Sequence, residues 1–222
     1  VYKRQEHIAA IYTLKYNQVI IGFLYLAAHD GQDFAPEELR YLEKICYYSS
    51  YALRNANLYQ NAYRASITDD LTSLYNRKHA FECIDHVCQH QKPSTLIVLD
   101  IDDFKLYNEL YGAQESDNLI HRFAQVILQE ISSKDIGFRF GADEFLILKA
   151  GTDIDEACSC CKRIVDAITD ATPANTVWDI TITCGISVFP DISTDAASFL
   201  HNAEQAIYYA VSYTHLRAHE TE

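Results

Sequence analysis

The chain contains no methionine, a single tryptophan and only four prolines in 222 residues, and its first residue is Val1. That start reads as a piece of a longer reading frame. No apolar run reaches the roughly 18 residues of a membrane span, and the N-terminus lacks the basic, then apolar, then small-residue order of an export signal. The expected location is therefore cytoplasmic, with no direct membrane contact. Positive charge is scarce: 18 Lys and Arg stand against 31 Asp and Glu, for a net charge of −13. A nucleic-acid groove needs clustered cations, so nucleic acid is excluded as a partner, while a phosphate-bearing small ligand stays open through a metal. The Gly-rich Walker loop is missing, which excludes the commonest GTPase route. Seven cysteines make an odd count without framework spacing, so reduced thiols are expected.

What is present suits a globular chain, with 49% hydrophobic and 22% charged residues. The length allows one full domain and part of another. Residues 1–68 carry 7 Lys and Arg against 6 Asp and Glu, whereas residues 69–222 carry 11 against 25. The composition changes near residue 68.

Residues 8–15 and 18–28 are rich in Ile, Val, Tyr and Phe and read as a β-hairpin joined at Tyr16-Asn17. Pro36, Glu37 and Glu38 then open a helix whose apolar residues, from Leu39 to Ala56, recur at helical spacing, and it is expected to run to about Arg64. From Asp69 the pattern alternates: a helix around Ala80–Cys88, a buried strand Thr95–Ile101, a helix around Leu119–Ile131, and strands Ile136–Phe140 and Glu144–Lys149 about a tight turn. A helix near Asp155–Ala171, a strand Trp178–Phe189 and a helix from about Ala196 follow. Strands covered by helices make an α/β sandwich with an antiparallel hairpin in its sheet.

The strand Thr95–Ile101 ends in Asp100, with Asp102 and Asp103 beyond it, and Asp143 and Glu144 sit at the hairpin tip. Carboxylates from two neighbouring strand ends can hold Mg²⁺ and a nucleotide's phosphates. The alternative is solvated turn residues.

From Asp69 to about Ala210 the ordered blocks DDLTSLYNR (69–77), LDIDDFKLYNELYG (99–112), RFGADEF (139–145), TITCGISVFP (181–190) and AEQAIYYA (203–210) resemble the GGDEF family of diguanylate cyclases. Residues 1–64 are similar to the C-terminal half of a GAF sensory domain running into a signalling helix. The resemblance implies a palm-like, nucleotidyl-cyclase sheet with a central antiparallel hairpin flanked by helices, plus a partial α+β GAF-like segment and a long linking helix. It implies the condensation of two GTP into cyclic di-GMP with release of pyrophosphate, by a homodimer using Mg²⁺ or Mn²⁺. It places metal at Asp100, Asp143, Glu144 and the carbonyl of Ile101, with Glu144 also assisting the attacking hydroxyl. It places the guanine edge at Asn108 and Asp117, and the phosphates at Phe104, Lys105, Gly141 and Ala142.

The chain departs from the family pattern at several positions. Ala142 replaces the second Gly of the signature, at a cost of about 1 kcal/mol if φ there is positive. Ala113 replaces the usual His, and Ser116 the usual Gly before Asp117. The inhibitory RxxD motif aligns with Ser132-Ser133-Lys134-Asp135, without its Arg. Val211 and His215 stand where the family places a Lys and an Arg on the triphosphate, and residues 211–222 resemble a translated sequencing adapter, expected to be non-native. A non-catalytic GTP-binding module is the alternative function. Cys158, Cys160 and Cys161, and Cys83 with His86 and His90, have helix spacings that zinc can use, but without a second ligand pair they read as packed or surface residues. Tyr47, Tyr48 and Tyr51 read as core or dimer-seam packing.

Overall fold

In the computed structural model, which describes residues 8–27, 35–171 and 180–219, with the side chains of 11–27, 35–169 and 180–210, the chain divides into two units, residues 1–66 and 67–222. In the first, β1 (Ile8–Tyr16) pairs antiparallel with β2 (Val19–Ala27). The linking residues Asn17 and Gln18 both have positive φ, 46° and 67°, as in the two-residue turns whose twist suits a hairpin. Helix α1 (Pro36–Ile67) starts at the expected proline and runs three residues past the expected end. Leu14 on β1 and Cys46 on α1 are buried.

The second unit is a five-stranded sheet with helices on both faces. In chain order its elements are β3 (Tyr75–Asn76), α2 (Arg77–Gln89), β4 (Ser94–Ile101), α3 (Phe104–Tyr111) and α4 (Ala113–Glu130). They continue with β5 (Ile136–Arg139), β6 (Glu144–Ala150), α5 (Ile154–Ala171), β7 (Ile182–Phe189) and α6 (Ala196–His219). The strand order is β3-β5-β6-β4-β7; β3 pairs parallel to β5 and every other neighbouring pair is antiparallel.

The unbroken apolar run of β4 follows from burial on both sides, because successive side chains leave opposite faces of a strand. Leu96 and Val98 pack with Ala80 and Ile84 of α2 and Phe199 and Ala203 of α6. Ile97, Leu99 and Ile101 pack with Ile120 and Phe123 of α4 and Ile164 of α5. Gly185 of β7 lets α6 approach: a Cβ there would run into the Ala203 carbonyl oxygen and lie 2.9 Å from Ile207 Cγ1.

Two elements differ from the sequence reading. The two-residue β3 has too few residues for any periodicity, and α3 is a separate helix, divided from α4 by Gly112 at φ 82°. The expected strand start at Trp178 lies outside the described residues, as does Ala28. No helix among the described residues is long and apolar enough to cross a membrane.

Candidate active site

β4 is an inner strand, between β6 and β7, so the residues at its C-terminal end have a neighbour on each side. Asp100 is opposite Glu144 of β6 and opposite Thr183 of β7. The Ile101 N–H donates to the Asp143 carbonyl at 3.2 Å, which ties the hairpin tip to β4. The turn closes where the N–H groups of Phe140 and Gly141 both donate to the Glu144 carbonyl, at 2.8 and 3.0 Å. A Cβ on Gly141 would sit 3.2 Å from Glu144 Cβ and 3.3 Å from Oε2, so glycine keeps room for that carboxylate. Ala142 is exposed and outside the positive-φ region, so its methyl group adds no backbone strain to the turn.

The site is electrostatically one-sided. Burial, then the neighbouring charges of Asp143, Glu144 and Asp102, push Asp100 up to about 7, and each charged group acting on it is negative. Glu144 is raised by burial, then by Glu204 of α6 and by Asp143, against the opposing charge of Arg77. Arg77 itself lies over the Phe140 ring at 4.6 Å and the Phe81 ring at 5.7 Å. Asp102 is occupied: Thr183 Oγ1 donates to its Oδ1 at 2.7 Å. Among the described residues no three His, Cys, Asp or Glu side chains converge as a ready-made metal cage. The excess of hard oxygen donors nevertheless fits a divalent cation of the Mg²⁺ type, which would relieve the repulsion at Asp100.

Behind the turn, Arg139 acts as a brace. Its Nε donates to the Gly141 carbonyl at 3.2 Å and its Nη2 to the Ala142 carbonyl at 3.1 Å, while Nη1 reaches both oxygens of Asp69 at 3.2 and 3.3 Å. Burial works against ionisation of Asp69, but the Thr72 hydrogen bonds and the Arg139 guanidinium outweigh it and hold the carboxyl below its ordinary value. Sequence reasoning missed this brace, although both residues lie within the quoted blocks, because nothing in the spacing pairs positions 70 residues apart. Thr183, Arg77 and Glu204 were missed for the same reason.

Beyond the C-terminal end of β4, Asp103 adopts a left-handed conformation, φ 54° and ψ 26°, immediately before α3. Phe104 is half-buried, Lys105 exposed, and Asn108 and Asp117 are exposed on α3 and α4. Ser116 Oγ lies 3.0 Å from Asn108 Oδ1. Val211 and His215 fall within the backbone of α6, with side chains outside the described residues.

The positions set aside as zinc ligands make other contacts. His86 and His90 stack with ring centroids 4.1 Å apart, and Cys83 Sγ lies 3.6 Å from His79 Nε2. Cys160 and Cys161 are buried in the core.

Residues 66–213, well over half of the chain, match the family described as diguanylate cyclase, GGDEF domain. The chain belongs to the GGDEF diguanylate cyclase family. It is 36% identical over 119 residues to diguanylate cyclase DgcS of Shewanella oneidensis, covering 52% of this chain and 40% of that protein. It is 30% identical over 162 residues to diguanylate cyclase DgcZ of Escherichia coli, covering 71% and 54%. The match to the uncharacterised protein YtrP of Bacillus subtilis is 29% over 195 residues, covering 87% of this chain and 33% of that one. The chain thus spans about a third to a half of the length of these relatives. Among solved structures, diguanylate cyclase SiaD of Pseudomonas aeruginosa, crystallised with its activator SiaC, is similar with TM-score 0.63 and 26% identity, covering 80% of this chain and 70% of that one. The coiled coil and GGDEF domain of DgcB from Caulobacter crescentus, in complex with c-di-GMP, share the fold with TM-score 0.68 and 22% identity, covering 80% and 95%.

Proposed function

We propose that this GGDEF domain condenses two GTP molecules into cyclic di-GMP, releasing pyrophosphate, under the control of a GAF-like sensory segment in residues 1–64. The observation that carries the reading is the like charge at the end of β4, where burial and then the negative charges of Asp143, Glu144 and Asp102 all act against ionisation of Asp100. The side chains of Asp100, Asp143 and Glu144 and the carbonyl of Ile101 would hold Mg²⁺ or Mn²⁺. When bound, the metal supplies charge stabilisation to the attacking and leaving oxygens of the displacement at phosphorus.

The chain's own residues do the rest. Asn108 and Asp117 hold the guanine edge, Asp117 by accepting its N–H groups. Lys105 and the turn at Phe104 meet the phosphates, as does the backbone of Gly141 and Ala142. Glu144 would assist the attacking ribose 3′-hydroxyl, and its raised affinity for protons suits it to accept that proton. Each domain binds one GTP, so two must face each other in a homodimer. In support, α1 exposes Tyr41, Tyr48, Leu58, Tyr59 and Tyr63, an apolar surface that suits a second copy.

Feedback through the RxxD position is not expected. Its Arg is absent, and Asp135 is used inside the fold: its carboxylate accepts from Ser132 N–H at 3.0 Å, Ser132 Oγ at 2.8 Å and Lys149 Nζ at 3.0 Å.

A non-catalytic GTP-binding module is the second reading, resting on Ala142 in place of the second signature glycine, with turnover removed while Asp100, Asn108 and Asp117 still bind nucleotide. Incubation with GTP and Mg²⁺, followed by chromatographic separation of the nucleotides, separates the two. The cyclase yields cyclic di-GMP with two pyrophosphates per product; GTP binding without product leaves the module.

A further inference from the structure

Ser116 departs from the glycine the family uses, and it makes a contact that glycine cannot. It lies in the first turn of α4, one residue before Asp117, and is 3% exposed. Its hydroxyl oxygen is 3.0 Å from Asn108 Oδ1 on α3 and 3.1 Å from the Gly112 carbonyl oxygen. A serine hydroxyl has one proton to donate. The Gly112 carbonyl already accepts the Ser116 backbone N–H at 3.1 Å. Asn108 Oδ1 has no other donor among the described residues, so the proton serves best there.

We propose that Ser116 is a positioning residue that sets base specificity: by holding Asn108 Oδ1, it fixes the amide with its NH₂ group toward the base. The proposal rests on the guanine role assigned above to Asn108 and Asp117. An amide can rotate by half a turn and offer either a donor or an acceptor, whereas a carboxylate offers acceptors alone. Guanine presents O6 and N7 as acceptors beside its N1–H and N2–H donors; adenine presents an N6 amino donor where guanine has O6. An amide locked with its donors outward complements guanine together with Asp117. A freely rotating amide can turn its oxygen to the adenine amino group. Ser116 closes that option.

The size of the effect is that of one neutral hydrogen bond, about two- to tenfold in the ratio of guanine to adenine affinity. The test is equilibrium dialysis of the whole chain with Mg²⁺ and the 3′-deoxy forms of GTP and ATP, which lack the attacking hydroxyl and bind without turnover. Parent, Ser116→Ala and Ser116→Gly are compared. Both nucleotides report on the same folded molecules, so the ratio is insensitive to any loss of stability. The expected result is a preference for the guanine nucleotide in the parent that falls about two- to tenfold in both variants. An unchanged ratio in Ser116→Ala overturns the proposal while the guanine reading stands, as does a fall in Ser116→Gly alone, which would point to packing by Cβ. A rise in the ratio would mean that the amide is held the other way round, and also overturns it. A parent with no guanine preference overturns the proposal together with the reading it rests on.

Discussion

Replacing Asp100 by Asn should stabilise the metal-free protein at pH 8 and weaken its response to Mg²⁺. The carboxyl rises from an ordinary 3.8 to about 7, through burial first and then through Asp143, Glu144 and Asp102. A carboxyl whose folded value lies above its unfolded one holds its proton more tightly when folded. Its contribution is therefore most favourable below pH 3.8, declines as the pH rises through the interval to about 7, and is fully lost above it. At about 1.4 kcal/mol per pH unit the interval is worth some 4 kcal/mol, which solvent screening of a partly exposed group cuts to about 2 kcal/mol. Asparagine has nearly the same shape and no charge, so it escapes the penalty. At about 2–4 °C per kcal/mol for a domain of this size, Asp100→Asn should melt about 4–8 °C above the parent at pH 8, with the gap closing toward pH 4.5. Thermal unfolding with and without Mg²⁺ reads both parts: the metal should raise the parent's melting temperature more than the variant's. A gap that does not change with pH, or a variant that melts below the parent at pH 8, would refute the electrostatic account.

Gly185→Ala should cost about 1–3 kcal/mol, because the new methyl meets the Ala203 carbonyl and Ile207 and pushes α6 from β7; denaturant unfolding measures it. Arg139→Ala should lower kcat more than it raises KM for GTP, and should destabilise the fold by about 3 kcal/mol, since it leaves Asp69 and two turn carbonyls without their partner. Arg139→Lys should recover only part, having no fork to span the same acceptors. The pair Val211→Lys and His215→Arg should tighten GTP binding by about two to four orders of magnitude, two charged contacts at about 1.5–3 kcal/mol each. Ala142→Gly should change it less than about threefold, and a GTP titration that ranks these two changes the other way would return the defect to the signature turn.

How far the sequence could be read depended on how local the cause was. The run Thr95–Ile101 identified β4 because two helical layers bury both of its faces, and Pro36 marked the start of α1 because proline fits a first helical turn. The α3–α4 break was hidden, since one positive φ at Gly112 leaves no trace in a hydrophobic pattern. In the site, Asp100 and Glu144 were legible as motif residues, and the antiparallel register sets them face to face. The brace from Asp69 through Arg139 to the turn carbonyls was not, because it joins two blocks through folding alone. The cost feared at Ala142 depended on a positive φ that the turn does not use.

The most direct test of the account is cyclic di-GMP synthesis by the chain carrying Val211→Lys and His215→Arg, with and without the further change Asp143→Asn, at saturating GTP and Mg²⁺. Asp143 lies at the partly exposed hairpin tip, outside the buried clusters, so its loss should leave folding intact. The account predicts that Asp143→Asn abolishes product formation while the melting temperature stays within about 3 °C, an effect of about 1 kcal/mol or less. Undiminished synthesis by the Asp143→Asn protein would contradict the assignment of the active site to the ends of β4 and β6.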